Sequence, residues 1–152
     1  TLDAGNTDKL AMFRRELERL SIPLLPPDVN RSGVEFEVER LDYVDANGVA
    51  KRALVAHKGG PGGLALSGHM DTVPDTGWTD DPWSGRMVDG VLHGLGSVDM
   101  KGAVAACILA ARAAPRATLL ITTDEETTKA GARIIAEKSE LARRAALRGV
   151  IV

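Results

Sequence analysis

The chain has a single cysteine, Cys107, and few aromatics: two tryptophans, one tyrosine and two phenylalanines in 152 residues. A lone thiol excludes an intramolecular disulfide, and its alanine-rich apolar setting marks it as a packed side chain rather than a nucleophile. No apolar run reaches membrane-spanning length, and Thr1-Leu2-Asp3-Ala4-Gly5 lacks the basic and apolar regions of a signal peptide, so a cytoplasmic location is expected. An excess of one charge is missing too. The formal net charge of -2 provides no broad basic surface for nucleic acid and names no partner. What is present, an apolar fraction of 44%, is ordinary for a soluble domain with one core.

Asn6 or Thr7 can cap a helix running to about Leu20, with Leu10, Phe13, Leu17 and Leu20 at helical spacing. Arg14, Arg15 and Arg19 on it are offset by Glu16 and Glu18, as on a solvated face. Pro23 ends it, and Pro23-Leu24-Leu25-Pro26-Pro27-Asp28 reads as a joint. From Val34 to Tyr43, Val34, Phe36 and Val38 alternate with Glu35, Glu37 and Glu39, which predicts a half-buried or edge strand, and Asn47-Gly48 supplies a hairpin turn. Short strands are predicted over 53–57 and 63–67, either side of Gly59-Gly60-Pro61-Gly62. That loop is not a phosphate loop, because a strand follows it where a helix and a Lys-Ser or Lys-Thr pair are needed. A small hairpin is expected around Asp89-Gly90, helices over 100–114 and 128–138, and strands over 117–122 and from 149 onward. Strands alternating with helices indicate an α/β sheet with helices on its faces.

The chemistry gathers at strand ends. His69 and Asp71 stand two residues apart after an apolar strand, so both point to the same side. An imidazole is a common zinc ligand, and an adjacent carboxylate can hold its second ring nitrogen and fix the tautomer. Asp99 sits just before the helix predicted from Met100, and Asp124-Glu125-Glu126 follow the strand predicted from Ala117. In α/β sheets ligands collect beyond the carboxyl ends of strands. Imidazole with several carboxylates suits zinc, or cobalt or manganese. Tandem acids allow one to bind metal while a neighbour acts as general base. His57 and His93 have no such context and read as structural, and Trp78 and Trp83 as packing or loop anchors.

The segments Ser67 to Pro74, Gly94-Leu95-Gly96-Ser97-Val98-Asp99-Met100-Lys101-Gly102 and Thr123-Asp124-Glu125-Glu126 resemble, in order and spacing, three motifs of the acetylornithine deacetylase, succinyl-diaminopimelate desuccinylase and glutamate carboxypeptidase family. Its members are co-catalytic zinc amidohydrolases. The resemblance implies that His69 binds a first Zn2+, Asp99 bridges two, and Glu126 binds the second. It makes Asp71 the residue that orients His69 and Glu125 the general base. The fold implied is an α/β three-layer sandwich, a mixed sheet with helices on both faces, forming part of a zinc-hydrolase catalytic domain over residues 39–152. The implied substrate is an N-acyl amino acid or small peptide, cleaved at its amide bond. Leu95 departs from the pattern, standing where many members carry arginine.

Relatives take a further carboxylate after the strand beginning near Gly149 and a distant C-terminal histidine, and often dimerise through a further domain. None of these lies within the chain, so weak metal binding and little or no activity are expected of it alone. Residues 1–38 resemble instead a stretch of the bacterial replicative DNA polymerase III alpha subunit without its catalytic aspartates, which suggests a chimera. A non-catalytic interaction module and a nucleic-acid-binding remnant are the competing readings.

Overall fold

The computed structural model describes residues 36–152. The helix and proline-rich joint expected in the first 35 residues lie outside them. Among the described residues a five-stranded sheet runs in the order β1-β2-β6-β3-β7, with β1 spanning Glu37–Val44, β2 Ala50–Lys58, β3 Leu64–His69, β6 Ala117–Thr122 and β7 Gly149–Ile151. β2 pairs antiparallel with both β1 and β6, whereas β3 pairs parallel with β6 and β7. The sheet is therefore mixed, as expected. The turn between β1 and β2 is closed at Asp45, whose carboxylate accepts from the Asn47 and Val49 N–H groups. A separate small hairpin joins β4 (Arg86–Val88) to β5 (Val91–His93). Its tip residues Asp89 and Gly90 both have positive φ, the geometry a tight two-residue hairpin turn requires.

Helices cover both faces. On β6, Leu119 and Ile121 pack toward α1 (Gly102–Ala113) with Ala111, Ala114 and Cys107, while Leu120, on the opposite face, joins Tyr43, Val55, Ile135 and Leu141 beneath α2 (Ala130–Lys138) and α3 (Glu140–Ala145). This alternation is the period-two geometry of a strand with apolar residues on both sides, and it makes β6 the middle of the three-layer sandwich. Gly68 permits close approach on the α1 side: a Cβ there would lie 2.7 Å from Val104 Cγ2.

β1 is the edge strand that its alternation predicts: Phe36 before it packs on the α1 side, Leu41 and Tyr43 pack on the opposite side, and Val38 is 53% exposed. Glu39 lies on the covered side because its carboxylate accepts from the Glu140 and Leu141 N–H groups and the Ser139 hydroxyl, neutralising the start of α3. One expectation needs correction, the helix predicted over 128–138. It begins at Ala130, and after a break at Ser139 the short α3 follows; Ser139 caps it by accepting from the Ala142 N–H at 2.9 Å. Among the described residues no helix is long and apolar enough to cross a membrane.

Candidate metal centre

Parallel pairing of β3 and β6 puts His69 level with Thr122, so the residues after each strand emerge side by side. Met70 N–H donates to Thr122 carbonyl at 2.9 Å and extends this pairing by one bond. The third segment arrives through a tight turn over Ser97–Lys101 leading into α1, in which the Asp99–Met100 peptide is cis. His69, Asp99 and Glu126 then converge: one ligand atom from each lies within 4.8 Å of the other two. All three motifs, separated by tens of residues in sequence, meet at the carboxyl ends of the strands.

Donor and acceptor chemistry narrows what this cluster can hold. His69 is buried, and its Nδ1 lies 3.2 Å from the Asp71 carbonyl oxygen and 3.4 Å from Asp71 Oδ1. Both neighbours are acceptors and suit the tautomer with its hydrogen on Nδ1, in which Nε2 presents a lone pair. That lone pair faces Asp99 Oδ1 at 3.0 Å. Two acceptors this close repel unless a proton or a cation lies between them. Nitrogen and oxygen donors sharing one tetrahedral zinc at about 2.0–2.1 Å are roughly 3.3 Å apart, close to the separation seen. The donor set therefore fits a divalent metal ion of the zinc type.

Asp71 does more than face the imidazole. Its two carboxylate oxygens accept from the Glu125 N–H at 3.1 Å and the Glu126 N–H at 3.0 Å. One side chain thus ties the first motif to the third and fixes the backbone from which Glu126 enters the cluster.

The three consecutive acids have three different environments. Asp124 is fully buried and points away from the cluster, accepting from the Thr128 hydroxyl at 2.7 Å, the Ala130 N–H at 2.8 Å and the Gly131 N–H at 2.9 Å. It closes the N-terminus of α2. Burial works against its charged form, but the hydrogen bonds from Thr128, Gly131 and Ala130 outweigh it and hold the carboxyl below its ordinary value. Glu125 is partly exposed, and its side chain is paired with Lys129 Nζ, which also donates to the Glu125 carbonyl at 2.7 Å. Glu126 alone joins His69 and Asp99.

Sequence reasoning missed Lys129 and Tyr43. Lys129 is a non-glycine residue with φ of 55° at the entrance to α2, and only its spacing of four from Glu125 hinted at the pair. The Tyr43 hydroxyl is buried beside Asp124 without hydrogen-bond geometry to it, though near enough to favour that carboxylate's charge, and burial pushes the phenol up to about 12. His57 is structural, as expected: Nε2 lies 3.1 Å from the Gly59 carbonyl oxygen and Nδ1 2.8 Å from Thr118 Oγ1.

A sheet of this topology with an imidazole and carboxylates gathered at its strand ends defines a class, and comparison with known proteins agrees. Residues 65–152 match the model of peptidase family M20/M25/M40, and the chain belongs to that family. More particularly, it is 48% identical over 90 residues to acetylornithine deacetylase of Klebsiella pneumoniae (strain 342), a match covering 54% of this chain and 24% of that protein. It is 46% identical over 100 residues to succinyl-diaminopimelate desuccinylase of Xanthobacter autotrophicus, covering 60% and 26%. An acetylornithine deacetylase of Photorhabdus laumondii is 41% identical over 129 residues, covering 79% and 32%. The chain spans about a quarter to a third of the length of these curated relatives. The resemblance of residues 1–38 to a polymerase segment draws no support from these matches.

Proposed function

We propose that the protein is a metal-dependent amidohydrolase acting on an N-acyl amino acid or small peptide, with His69, Asp99 and Glu126 as metal ligands in this chain. The observation that carries the reading is the convergence of those three acceptors, with the His69 tautomer set by Asp71. Zinc is the ion the donor set suits best, and when bound it supplies Lewis-acid polarisation of the substrate carbonyl. If two ions were held, Asp99, whose side chain is 74% exposed, would be the ligand available to both.

The chain's own residues supply the rest. Asp71 holds the Nδ1 hydrogen of His69 and leaves Nε2 free to coordinate. Glu125, held one residue from the ligand Glu126, takes a proton from the attacking water and passes it to the leaving amine. Lys129 has to release the Glu125 carboxylate for that transfer, and exposed pairs of this kind are weak enough to exchange. Names of the relatives point to N-acetylornithine and N-succinyl-diaminopimelate as the substrates to try first.

The test is zinc-dependent release of free amine from those two compounds by the zinc-loaded protein and its Glu125→Gln variant. Zinc content is measured in parallel. Loss of turnover by roughly 10²–10⁴-fold with zinc retained is expected. Unchanged turnover removes Glu125 as the base, and activity that survives complete zinc removal removes the metal-dependent reading altogether.

A further inference from the structure

At the other end of the sheet, the glycine-rich loop before β3 lies beneath two arginines that the proposed hydrolase chemistry does not use. Arg116 comes from the turn before β6 and Arg148 from the turn before β7. A Cβ built on Gly62 would lie 3.5 Å from Arg148 Nε and 3.6 Å from Arg116 Nη1, and one on Gly60 would lie 3.8 Å from Arg116 Nη2. The bare loop is the floor over which both guanidinium groups extend. Being close to one common point, they lie within about 7 Å of each other, where like charges repel. Both side chains are exposed, and among the described residues neither forms an ion pair, which is also true of Arg40, Arg86, Arg112 and Arg133.

The arrangement is braced. Arg148 N–H donates to the Gly63 carbonyl at 2.9 Å, and Gly62 N–H donates to the Ala145 carbonyl at 2.7 Å. These bonds fix the loop against the α3–β7 connection and fix the starting point of Arg148. Gly62 and Gly63 have φ of 90° and 99°, conformations that side chains rarely adopt. Lys58 nearby is otherwise engaged, donating to the Arg112 carbonyl and lying over the Phe36 ring.

We propose that Arg116 and Arg148, above the Gly59–Gly63 loop, form a binding site for a phosphate group. Two forks with several N–H donors, reaching one point from separate turns, suit a tetrahedral oxyanion with oxygen edges on more than one side; a carboxylate offers a single edge. The arginines are the principal donors, and the Gly62 N–H is already spent on Ala145. This site lies at the opposite end of the six-residue strand β3 from His69, about 20 Å away, and is independent of the metal cluster.

The experiment is a titration of inorganic phosphate into the full chain, stripped of metal with a chelator and held at constant ionic strength with chloride, followed by amide NMR shifts or calorimetry. Saturable binding that shifts Arg116, Arg148 and Gly59–Gly63 is expected, with at least tenfold weaker affinity in the Arg116→Gln, Arg148→Gln double variant. The double lysine variant keeps the charge, loses the forks and is expected to bind several-fold more weakly than the parent; its unchanged melting temperature separates lost binding from lost folding. A parallel titration with glycerol 3-phosphate distinguishes the source: tighter binding assigns a phosphorylated metabolite, weaker binding free phosphate, and both retain the site. Absence of saturation, affinity unchanged by the glutamine substitutions, or acetate binding as tightly as phosphate overturns it.

Discussion

The two ends of the central strands gather charge of opposite sign by different means. After β3 and β6, His69, Asp99 and Glu126 converge in a cluster whose backbone is bonded across motifs through Asp71. At the other end, Arg116 before β6 and Arg148 before β7 reach from separate turns over the glycine loop that precedes β3. At the first end acceptors are held together by other side chains; at the second the loop is held and the long cations are left free. The difference explains why the first end demands a particular ion geometry, whereas the second offers a charge that a ligand must organise.

The comparison breaks most decisively at His69. Replacing His69 with alanine removes a nitrogen donor from the cluster, and zinc affinity measured by chelator competition is expected to fall at least about a hundredfold. Phosphate binding at the arginine end should be unchanged, and a parallel loss would show that the two ends are not independent.

Next in size is Asp124, which belongs to the scaffold of the acidic end and not to its cluster. Asp124→Ala leaves the Ala130 and Gly131 N–H groups and the Thr128 hydroxyl without their acceptor, and denaturant unfolding is expected to show a loss of roughly 2–4 kcal/mol. The sign with pH follows from the lowered carboxyl. Its stabilisation is present above the unfolded value of 3.8 and is lost as pH falls through the lower folded value. The parent should lose stability on acidification across that window more steeply than Asp124→Ala does. A variant with the same acid slope as the parent would assign the sensitivity elsewhere.

The smallest effect tests whether burial near that scaffold is always productive. The Tyr43 hydroxyl is buried and unpartnered, so Tyr43→Phe is expected to be neutral or to stabilise by up to about 1 kcal/mol. Clear destabilisation in a thermal melt would show that the hydroxyl has a partner in solution.

Much of this was legible in the sequence. Alternation and Asn47-Gly48 announced the first hairpin, Asp89-Gly90 the second, and the order of strands and helices announced the layered sheet. The convergence of His69, Asp99 and Glu126 was legible because they lie in short motifs at strand ends. The role of Glu39 was not, because it faces the core side for the sake of the α3 N-terminus, a partner a hundred residues away. Nor was the division among Asp124, Glu125 and Glu126 readable in full, since three adjacent carboxylates look alike until the start of α2 takes one of them. The meeting of Arg116 and Arg148 depends on two turns far apart in sequence, and no local pattern carries it.

The pairing of His69 with Thr122 has a further consequence. The cluster's spacing is measured out by backbone hydrogen bonds, so the ladder between β3 and β6 acts as a ruler for how far apart its donor atoms stand. A slip of one residue along it would turn His69 to the other face of the sheet and carry it away from Glu126, without altering a single ligand. Substitutions deep in the sandwich, remote from any metal, can therefore be read as adjustments to the scale of that ruler.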